Sequence, residues 1–343
     1  MGNFIKDFTP TNAAVILSNK CSAACRECCF GCNPRKDTTL TNEEIFNFVD
    51  EVVATTNARF IVWTGGEAFM LGERLCEVLD YAQQRGLPSR IVSNGYWATS
   101  SNVAKQRLTK LKLSGLRELN LSTGDNHQEW VTIEKVLTAA RESLRLGINT
   151  VVSIETTKHS HFKEKDLRQH PIYQSIENEG LDNRLEIVNA AWVSFHRDQE
   201  YEYEDIDDAE INNGCDHLFK FIGLNPKSEL VACCGLTVDY IPEMNLGKFN
   251  QDSKLKQAYD QQKDDFMKRW LFVAGPINIM RMVKQWDKTI QIPKFAHYCQ
   301  TCAYIFQSED IRQCILTNFS SIKDEINQKF ENKIKINEEL KLV

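Results

Sequence analysis

The residues with the clearest chemical potential are three cysteines that follow the first strand-like segment. Cys21, Cys25 and Cys28 are spaced C-x3-C-x2-C, so one short loop supplies an odd number of thiolates. A structural zinc site needs four ligands. A cubane iron–sulfur cluster with only three local cysteines keeps one iron open. We therefore expect a reactive iron–sulfur cluster that binds a substrate or cofactor at its open iron.

The other readings of twelve cysteines in 343 residues are a disulfide framework and zinc sites. Disulfide frameworks belong to short secreted chains, and this long chain begins without an apolar signal-peptide pattern. Many reduced cysteines instead favour the cytoplasm. Zinc remains an alternative for the cysteines of the second half of the chain.

Composition excludes several classes of function. Apolar residues make up 42% and charged residues 26%, which predicts a globular chain of about two domains. The net charge of −6 lacks the basic excess of a nucleic-acid binder. No apolar run approaches the ~18 residues of a membrane helix. The acidic stretch 198–210 is interpreted as a solvated linker, with an acidic surface for a basic peptide as the alternative.

Strand-like and helix-like segments alternate along the first two hundred residues. This pattern predicts a parallel sheet with right-handed crossovers. Six units are too few for a closed eight-stranded barrel, so we expect an α/β fold with an open (β/α)6 partial TIM barrel. The predicted strands are Ala13–Ser18, Arg59–Trp63, Arg90–Ser93, Glu118–Ser122, Thr150–Glu155 and Leu185–Asn189. The predicted helices are Asn42–Ala54, Gly72–Arg85, Asn102–Leu113, Gln128–Leu146 and Lys163–Asn178.

Small and polar residues fall just after these strands, where the active site of a parallel sheet gathers. Gly65 and Gly66 allow a close approach of the backbone, and Glu67 offers a carboxylate to an ammonium group. Hydroxyl, amide and carboxylate groups for a polar ligand follow the later strands. They are Ser93, Asn94, Ser122, Ser153 and Glu155.

The cysteine loop and Gly65-Gly66-Glu67 resemble the motifs of the radical S-adenosylmethionine (radical SAM) enzymes. The resemblance implies a 4Fe–4S cluster on Cys21, Cys25 and Cys28, with the amino acid end of SAM on the open iron. It also implies that Glu67 holds the SAM amino group and that the later polar residues contact its ribose and carboxylate. An electron from an external donor such as flavodoxin or ferredoxin then cleaves SAM to a 5′-deoxyadenosyl radical.

The loop departs from that family at several positions. Glu27 stands where many members have an aromatic residue near the adenine, and Phe30 follows Cys28 instead. Cys29 and Cys32 are extra, and we do not expect them to be cluster ligands. His127 is interpreted as a helix-start residue that faces solvent, with the SAM or peptide site as the alternative.

A second group of cysteines lies in the last third of the chain. Cys215 precedes two apolar runs that predict a β-hairpin, Cys233 ends the hairpin, and Cys299 and Cys302 form a distant C-x2-C. We expect these four thiolates to converge on one metal centre. They resemble the shortened "twitch" form of the SPASM extension in radical SAM peptide maturases, although Ser228 replaces the usual turn glycine. The resemblance implies one auxiliary 4Fe–4S cluster, and tetrahedral zinc is the alternative.

Cys233 and Cys234 are adjacent, and neighbouring residues of a strand point to opposite faces. Cys234 is therefore a spare thiol, with a small buried residue as the alternative reading. The chain resembles the radical SAM peptide epimerases, in which a cysteine returns hydrogen to a peptide radical. That resemblance implies a ribosomally made peptide substrate with a leader segment. The alternatives are a cross-linking maturase of the same superfamily and a non-catalytic zinc-binding protein.

These features predict three parts of the chain. Residues 1–196 form the partial barrel, residues 197–214 form an acidic linker, and residues 215–343 form a small cysteine-bearing domain with the hairpin and helices. The segment 318–343 is predicted to end this domain as an amphipathic helix docked by its apolar stripe. Cys76 and Cys314 lie in helical patterns and are interpreted as structural.

Overall fold

Six parallel strands carry the first half of the chain in a computed structural model, which describes residues 8–195, 201–203, 214–250 and 254–339. Their order across the sheet is β6-β5-β4-β3-β2-β1, with every neighbouring pair parallel. Since β6 and β1 are not paired, the barrel stays open, as predicted. The strands are β1 (Asn12–Ile16), β2 (Ile61–Thr64), β3 (Ser89–Ser93), β4 (Leu116–Gly124), β5 (Asn149–Thr156) and β6 (Leu185–Ala191).

The helices between these strands match the predicted ones with two differences. The helix predicted over Lys163–Asn178 is interrupted at Pro171, which begins a second helix because proline fits the first turn. The helix predicted from Gln128 begins at Ile133, after a separate helical turn that follows β4. The helices are α1 (Asn42–Thr55), α2 (Glu73–Gln84), α3 (Ser101–Leu113), α4 (Asp125–Gln128), α5 (Ile133–Arg145), α6 (Glu164–Gln169) and α7 (Pro171–Asn178).

The predicted hairpin is present, and it extends the same sheet. Its strands β7 (Phe221–Leu224) and β8 (Glu229–Val231) are antiparallel, and β9 (Asn245–Lys248) pairs with β8. Strand β7 lies parallel to β1, so the order continues as β1-β7-β8-β9. Ser228 adopts a positive φ of 57° in the turn, which explains why a glycine is more usual there.

Five helices complete the chain, and the last one docks as predicted. Its residues Ile326, Phe330 and Ile334 are buried, and the Phe330 ring lies 5.2 Å from Phe219 and 5.8 Å from Phe272. The helices are α8 (Leu255–Gln262), α9 (Phe266–Trp286, broken at Gly275), α10 (Tyr298–Gln307), α11 (Glu309–Asn318) and α12 (Lys323–Glu339). Within the described ranges no helix is both long and apolar enough to cross a membrane.

Most of the predicted acidic linker lies outside the described residues, so its role stays a prediction, as do the domain boundaries. The described segment 201–203 lies beside the ends of β5 and β6. The Lys158 amide donates to the Glu202 carbonyl at 2.8 Å, and the Tyr203 hydroxyl donates to the Trp192 carbonyl at 2.8 Å. This short segment therefore borders the edge of the sheet at which its parallel strands end.

Candidate functional site

The loop after β1 brings the three predicted ligand thiols together. Cys21, Cys25 and Cys28 belong to one small apolar cluster with Ala23, and all are free thiols. The base of the loop is closed by hydrogen bonds between the backbones of Cys21 and Asn33 (3.2 Å) and of Asn33 and Asn19 (3.3 Å). The spacing of the cysteines and this closure together direct the thiols inward.

The two extra cysteines of the loop differ in position. Cys32 is buried in the same cluster as the three predicted ligands. Cys29 lies outside that cluster. Burial raises the pKa of its thiol, and the nearby Asp239 carboxylate raises it further. Sequence reasoning treated these two cysteines alike, but only Cys32 belongs to the cluster of the three predicted ligands.

The glycine pair after β2 supports the cysteine loop directly. A Cβ on Gly66 would lie 2.0 Å from the Lys20 carbonyl oxygen, and one on Gly65 would lie 2.7 Å from the Ser18 carbonyl oxygen. The Gly66 amide donates to that Ser18 carbonyl at 2.7 Å. The backbone that approaches these glycines is thus the loop itself, while their predicted contacts to a ligand stay predictions.

Glu67 is a buried carboxylate that organises the ends of β2 and β3. Its Oε1 accepts from the Ser93 hydroxyl at 2.8 Å and the Phe69 amide at 3.1 Å, and its Oε2 accepts from the Asn94 amide at 2.8 Å. Burial raises its pKa to about 7, against these hydrogen bonds. A carboxylate offers about four acceptor sites, so Oε2 retains the capacity for one more hydrogen bond, of the kind an ammonium ligand would donate.

Ser93 and Asn94 hold neighbouring groups in place. The Ser93 hydroxyl also accepts from the Trp97 indole N–H at 2.9 Å. The Asn94 side-chain amide donates to the Ser22 hydroxyl at 3.0 Å and to the Cys21 sulfur at 3.8 Å. Asn94 therefore contacts the loop that carries the cysteines, whereas Ser93 links Glu67 to Trp97.

The ends of β4 and β5 carry the other predicted polar residues, of which Glu155 interacts with the cysteine loop. Ser122 and Ser153 are direct partners across the two strands. The Glu155 Oε1 accepts from the amides of Asn126 (2.6 Å) and His127 (3.2 Å). Glu155 also contributes to the raised pKa of Cys25, about 12, of which burial is the main cause.

The prediction that His127 faces solvent is wrong. Its side chain is only 21% exposed, because the ring packs edge-on against Trp192 at 5.3 Å and its Nδ1 lies 3.6 Å from Glu155 Oε1. Within the described part of the chain, His127 Nδ1 and Glu155 Oε2 are buried without a hydrogen-bond partner. Buried polar atoms normally have partners, so these two fit a polar ligand beside the cysteine loop.

The second group of cysteines lines one pocket. The lining residues include all four predicted ligands, Cys215, Cys233, Cys299 and Cys302. A Cβ on Gly235 would lie 3.2 Å from the Cys299 sulfur and 3.7 Å from the Cys233 sulfur, so glycine leaves room between them. Burial raises the pKa of both Cys233 and Cys299 to about 12.

Backbone contacts fix the segments that meet at this pocket. The Cys215 amide donates to the Leu271 carbonyl of α9 at 2.9 Å, and the Thr237 hydroxyl donates to the Cys299 carbonyl at 2.9 Å. In the described residues no three Cys, His, Asp or Glu side chains converge on a single metal ion. A cubane offers a separate iron to each thiolate, so its ligands need not share one point.

Cys234 does not line the pocket, and its thiol lies 3.4 Å from Nδ1 of His217. Burial raises the pKa of this thiol, so it carries its proton at neutral pH. Because β8 runs antiparallel to β1, Cys234 lies toward the end of the sheet where the parallel strands begin. The structure thus groups Cys234 with the second cysteines and does not bring it to Cys21, Cys25 and Cys28.

Contacts that sequence reasoning missed connect the cysteine loop, through residues 194 and 195, to the last third of the chain. Glu27 is buried, and its Oε2 accepts from the Phe195 amide at 2.6 Å. The Phe195 ring stacks on Tyr240 at 4.9 Å, and the adjacent Ser194 carbonyl accepts from the Gln300 side chain at 3.3 Å. The sequence feature that indicates this contact is Glu27 itself, a carboxylate at a loop position where an aromatic residue is more usual.

Comparisons with known proteins agree with this geometry. Residues 15–170 match the family model described as the radical SAM superfamily. The Bacillus subtilis (strain 168) protein YydG, whose name associates it with peptide biosynthesis, is 20% identical over 314 residues, covering 87% of this chain and 92% of YydG.

The chain is also similar to solved structures, and one of them shows the same fold. Native anSMEcpe with bound AdoMet aligns with a TM-score of 0.52 and 12% identity, covering 93% of this chain and 100% of that one. Streptococcus suis SuiB bound to the precursor peptide SuiA aligns with a TM-score of 0.43 and 12% identity, covering 80% and 73% of the two chains. The likeness to anSMEcpe confirms the predicted open partial barrel.

Proposed function

Because residues 15–170 are a radical SAM domain, we propose that the chain modifies a ribosomally made peptide, by epimerising L-residues to D-residues. The peptide class is supported by the similarity to YydG over most of both chains. The observation that carries the epimerase proposal is the different placement of the neighbouring thiols of Cys233 and Cys234. Cys233 lines a pocket with three other cysteines, whereas Cys234 does not.

The radical SAM domain implies SAM and a 4Fe–4S cluster, and the residues present fit both. Cys21, Cys25 and Cys28 would hold three irons, and the partnerless polar atoms of His127 and Glu155 lie beside them. When bound, the two groups supply a 5′-deoxyadenosyl radical. The residues proposed to line the SAM site are Gly65, Gly66, Glu67, Ser93, Asn94, Ser122, Ser153 and Glu155.

Cys215, Cys233, Cys299 and Cys302 would hold the auxiliary 4Fe–4S cluster, since all four line one pocket with space left by Gly235. Four protein ligands leave no iron open, so this site suits electron transfer rather than substrate binding. The buried thiols must lose their protons to bind a metal, and the metal's charge offsets that cost.

In this proposal the peptide would lose its Cα hydrogen atom to the radical that bound SAM would supply, giving 5′-deoxyadenosine and a Cα radical on the peptide. The S–H of Cys234 then delivers a hydrogen atom to the opposite face, which forms the D-residue and leaves a sulfur radical on Cys234. One electron from an external donor such as flavodoxin or ferredoxin, and one proton, restore the thiol. The raised pKa of Cys234 supports this role, because a hydrogen-atom donor must be protonated.

The test replaces the donor and follows the peptide. A short reading frame beside the coding region supplies the candidate substrate, and the reaction is run in deuterated water with Cys234→Ala and with Cys314→Ala as the matched control. Cys234→Ala should still produce 5′-deoxyadenosine but no D-residue, while the control epimerises and leaves one deuterium at each inverted position. Wild-type amounts of D-residue from Cys234→Ala would overturn the proposal.

The second candidate function is a cross-linking maturase. It is favoured by the grouping of Cys234 with the second cysteines rather than with the first loop. A thioether or carbon–carbon cross-link removes two hydrogen atoms from the peptide, whereas epimerisation leaves its mass unchanged in ordinary water. The mass of the wild-type product therefore separates the two functions, and Cys234→Ala would not impair a cross-linker.

A non-catalytic zinc protein is the remaining alternative. Anaerobically purified protein should be brown, with about eight irons per chain if both sites hold a four-iron cluster. Colourless zinc-loaded protein that leaves SAM intact after reduction would contradict the proposal. A leader segment on the peptide, a cytoplasmic location and the absence of nucleic-acid and membrane partners belong to the same proposal.

A further inference from the structure

One edge of the nine-stranded sheet is open to a further strand. Strand β6 ends the sheet at the barrel opening, and among the described residues no strand pairs with its outer edge. It is seven residues long, Leu-Glu-Ile-Val-Asn-Ala-Ala, without proline, lysine or glycine. None of its residues is fully buried, whereas the neighbouring β5 contains several buried residues. A long edge strand of this composition can pair with another chain.

The opposite edge of the sheet is protected in the usual ways. Strand β9 has only four residues, and its pairing with β8 contains a register shift between Leu230 and Val231. Gly247 adopts a φ of 102°, and the strand ends at Lys248. Short length, irregular pairing and an edge lysine all hinder the addition of a further strand. The two edges therefore differ, and the edge of β6 is the one suited to bind an extended segment.

The register of β6 defines which of its backbone groups are available. The Trp192 amide donates to the Thr156 carbonyl at 2.9 Å, and the Ala190 carbonyl accepts from the Thr156 hydroxyl at 3.3 Å, so both groups face β5. Along a parallel strand, successive residues direct their backbone groups to opposite sides. The amides and carbonyls of Ile187 and Asn189 therefore point outward, where the described residues offer them no hydrogen-bond partner.

Strand β6 also leads to the candidate site. In register, Ala190 lies opposite Glu155, one of the residues proposed to line the SAM site. The Oε2 of Glu155 is buried without a hydrogen-bond partner among the described residues, and its Oε1 lies 3.6 Å from Nδ1 of His127. An extended chain along the outer edge of β6 would thus reach the end of the sheet where SAM is proposed to bind.

A peptide is the occupant that matches this edge. Strand addition uses main-chain hydrogen bonds, so it holds a peptide largely independently of its side chains. The proposed reaction takes place at a backbone Cα, whose position is fixed directly when the backbone is paired. We propose that the outer edge of β6 binds the peptide substrate as an added strand and so presents one of its residues to the SAM site. This inference rests on the proposed function, because it requires a peptide substrate.

The experiment removes one outward N–H from the edge. Asn189→Pro deletes the outward amide and leaves the hydrogen bonds to β5 in place, since proline is tolerated where the N–H of an edge strand faces solvent. Asn189→Ala is the matched control, because both variants lose the 3.2 Å hydrogen bond from the Asn189 side chain to Glu164. The probe is a fluorescein-labelled peptide encoded by the short reading frame beside the coding region, and fluorescence anisotropy measures its affinity for the reconstituted protein.

Asn189→Pro should bind the peptide about tenfold more weakly than wild type, the upper range for the loss of one hydrogen bond. Asn189→Ala should bind within about twofold of wild type, because its backbone amide is retained. Equal affinity of Asn189→Pro and wild type would overturn the proposal.

Hydrogen exchange of the wild type gives a second measurement, which does not depend on the folding of a variant. The amides of Ile187 and Asn189 should become protected when the peptide is added, while those of Val188 and Ala190 are already protected by pairing with β5. Protection of Ile187 and Asn189 without the peptide would show that this chain or a second copy covers the edge, and would overturn the proposal. A peptide that does not bind wild type at all would contradict the peptide substrate and this inference together, whereas loss of the edge effect alone would leave the peptide substrate in place.

Discussion

The two groups of cysteines are built in opposite ways. The first is a single loop between β1 and α1, and its thiols are surrounded by polar side chains such as Asn94, Glu155 and His127. The second gathers thiols from before β7, after β8 and along α10, in a pocket lined largely by apolar side chains. A site that must bind a polar ligand keeps polar neighbours, whereas a site closed by its own ligands can be sealed by packing.

The pKa values of the thiols also differ between the two groups of cysteines. In the second group burial raises the pKa of every predicted ligand. In the first group burial raises the pKa of Cys21 to about 11, but hydrogen bonds from Cys32 lower that of Cys28. Since a metal binds the thiolate, we expect the first loop to have one ligand ready for assembly and the second group to depend more on the metal for its order.

The largest expected effect comes from removing one predicted ligand of the first group of cysteines. Cys25→Ala should abolish SAM cleavage and lower the iron content from about eight to about four per chain, because a cubane needs its remaining ligands. Production of 5′-deoxyadenosine and iron analysis after anaerobic reconstitution measure this, with Cys29→Ala as the control. Retention of SAM cleavage by Cys25→Ala would remove this cysteine from the ligand set.

Removing one predicted ligand of the second group should have a different effect on SAM cleavage. Cys299→Ala should also remove about four irons, yet uncoupled SAM cleavage should persist because the first loop is intact. The thermal midpoint should fall, since ordering of the pocket depends on the metal. Cys314→Ala is the control, and equal iron content in Cys299→Ala and wild type would contradict a cluster at this pocket.

Gly66→Ala tests how the first loop is supported. Its Cβ would lie 2.0 Å from the Lys20 carbonyl oxygen, so the backbone must move, and we expect a loss of about 3 kcal/mol in the free energy of unfolding. Denaturant unfolding measures this. Gly180→Ala, at a φ of 67° with open space around it, should cost only about 1 kcal/mol. Equal losses would show that close packing against the loop is unimportant.

The smallest expected effect concerns the contact between Glu27 and Phe195. Glu27→Ala leaves the half-buried Phe195 amide without its carboxylate and should cost about 2 kcal/mol, while Glu27→Gln keeps an acceptor and should cost about 1 kcal/mol. Urea unfolding of the two variants checks the order. If Glu27→Ala is as stable as wild type, the hydrogen bond between Glu27 and Phe195 does not contribute to the free energy of unfolding.

Much of the fold and of the first site follows from local sequence. The alternation of strands and helices predicted six parallel strands, and C-x3-C-x2-C placed three cysteines in one loop, because both depend on short spacing along the chain. The hairpin after Cys215 was also predicted, from the turn between its two apolar runs. The predicted orientation of His127 was wrong, since local sequence could not reveal Trp192, a residue from a distant strand end, packed against it.

The sequence by itself determined the spacing of the cysteines in the first loop and that the barrel is open. The tertiary structure alone decided that β7 pairs with β1, that Cys32 returns over Cys28, and that Glu27 reaches the backbone of Phe195. It also decided that Cys234 lies beside His217 instead of the first loop. Spacing controls contacts within one loop, whereas contacts between distant segments depend on how the sheet and its helices pack together.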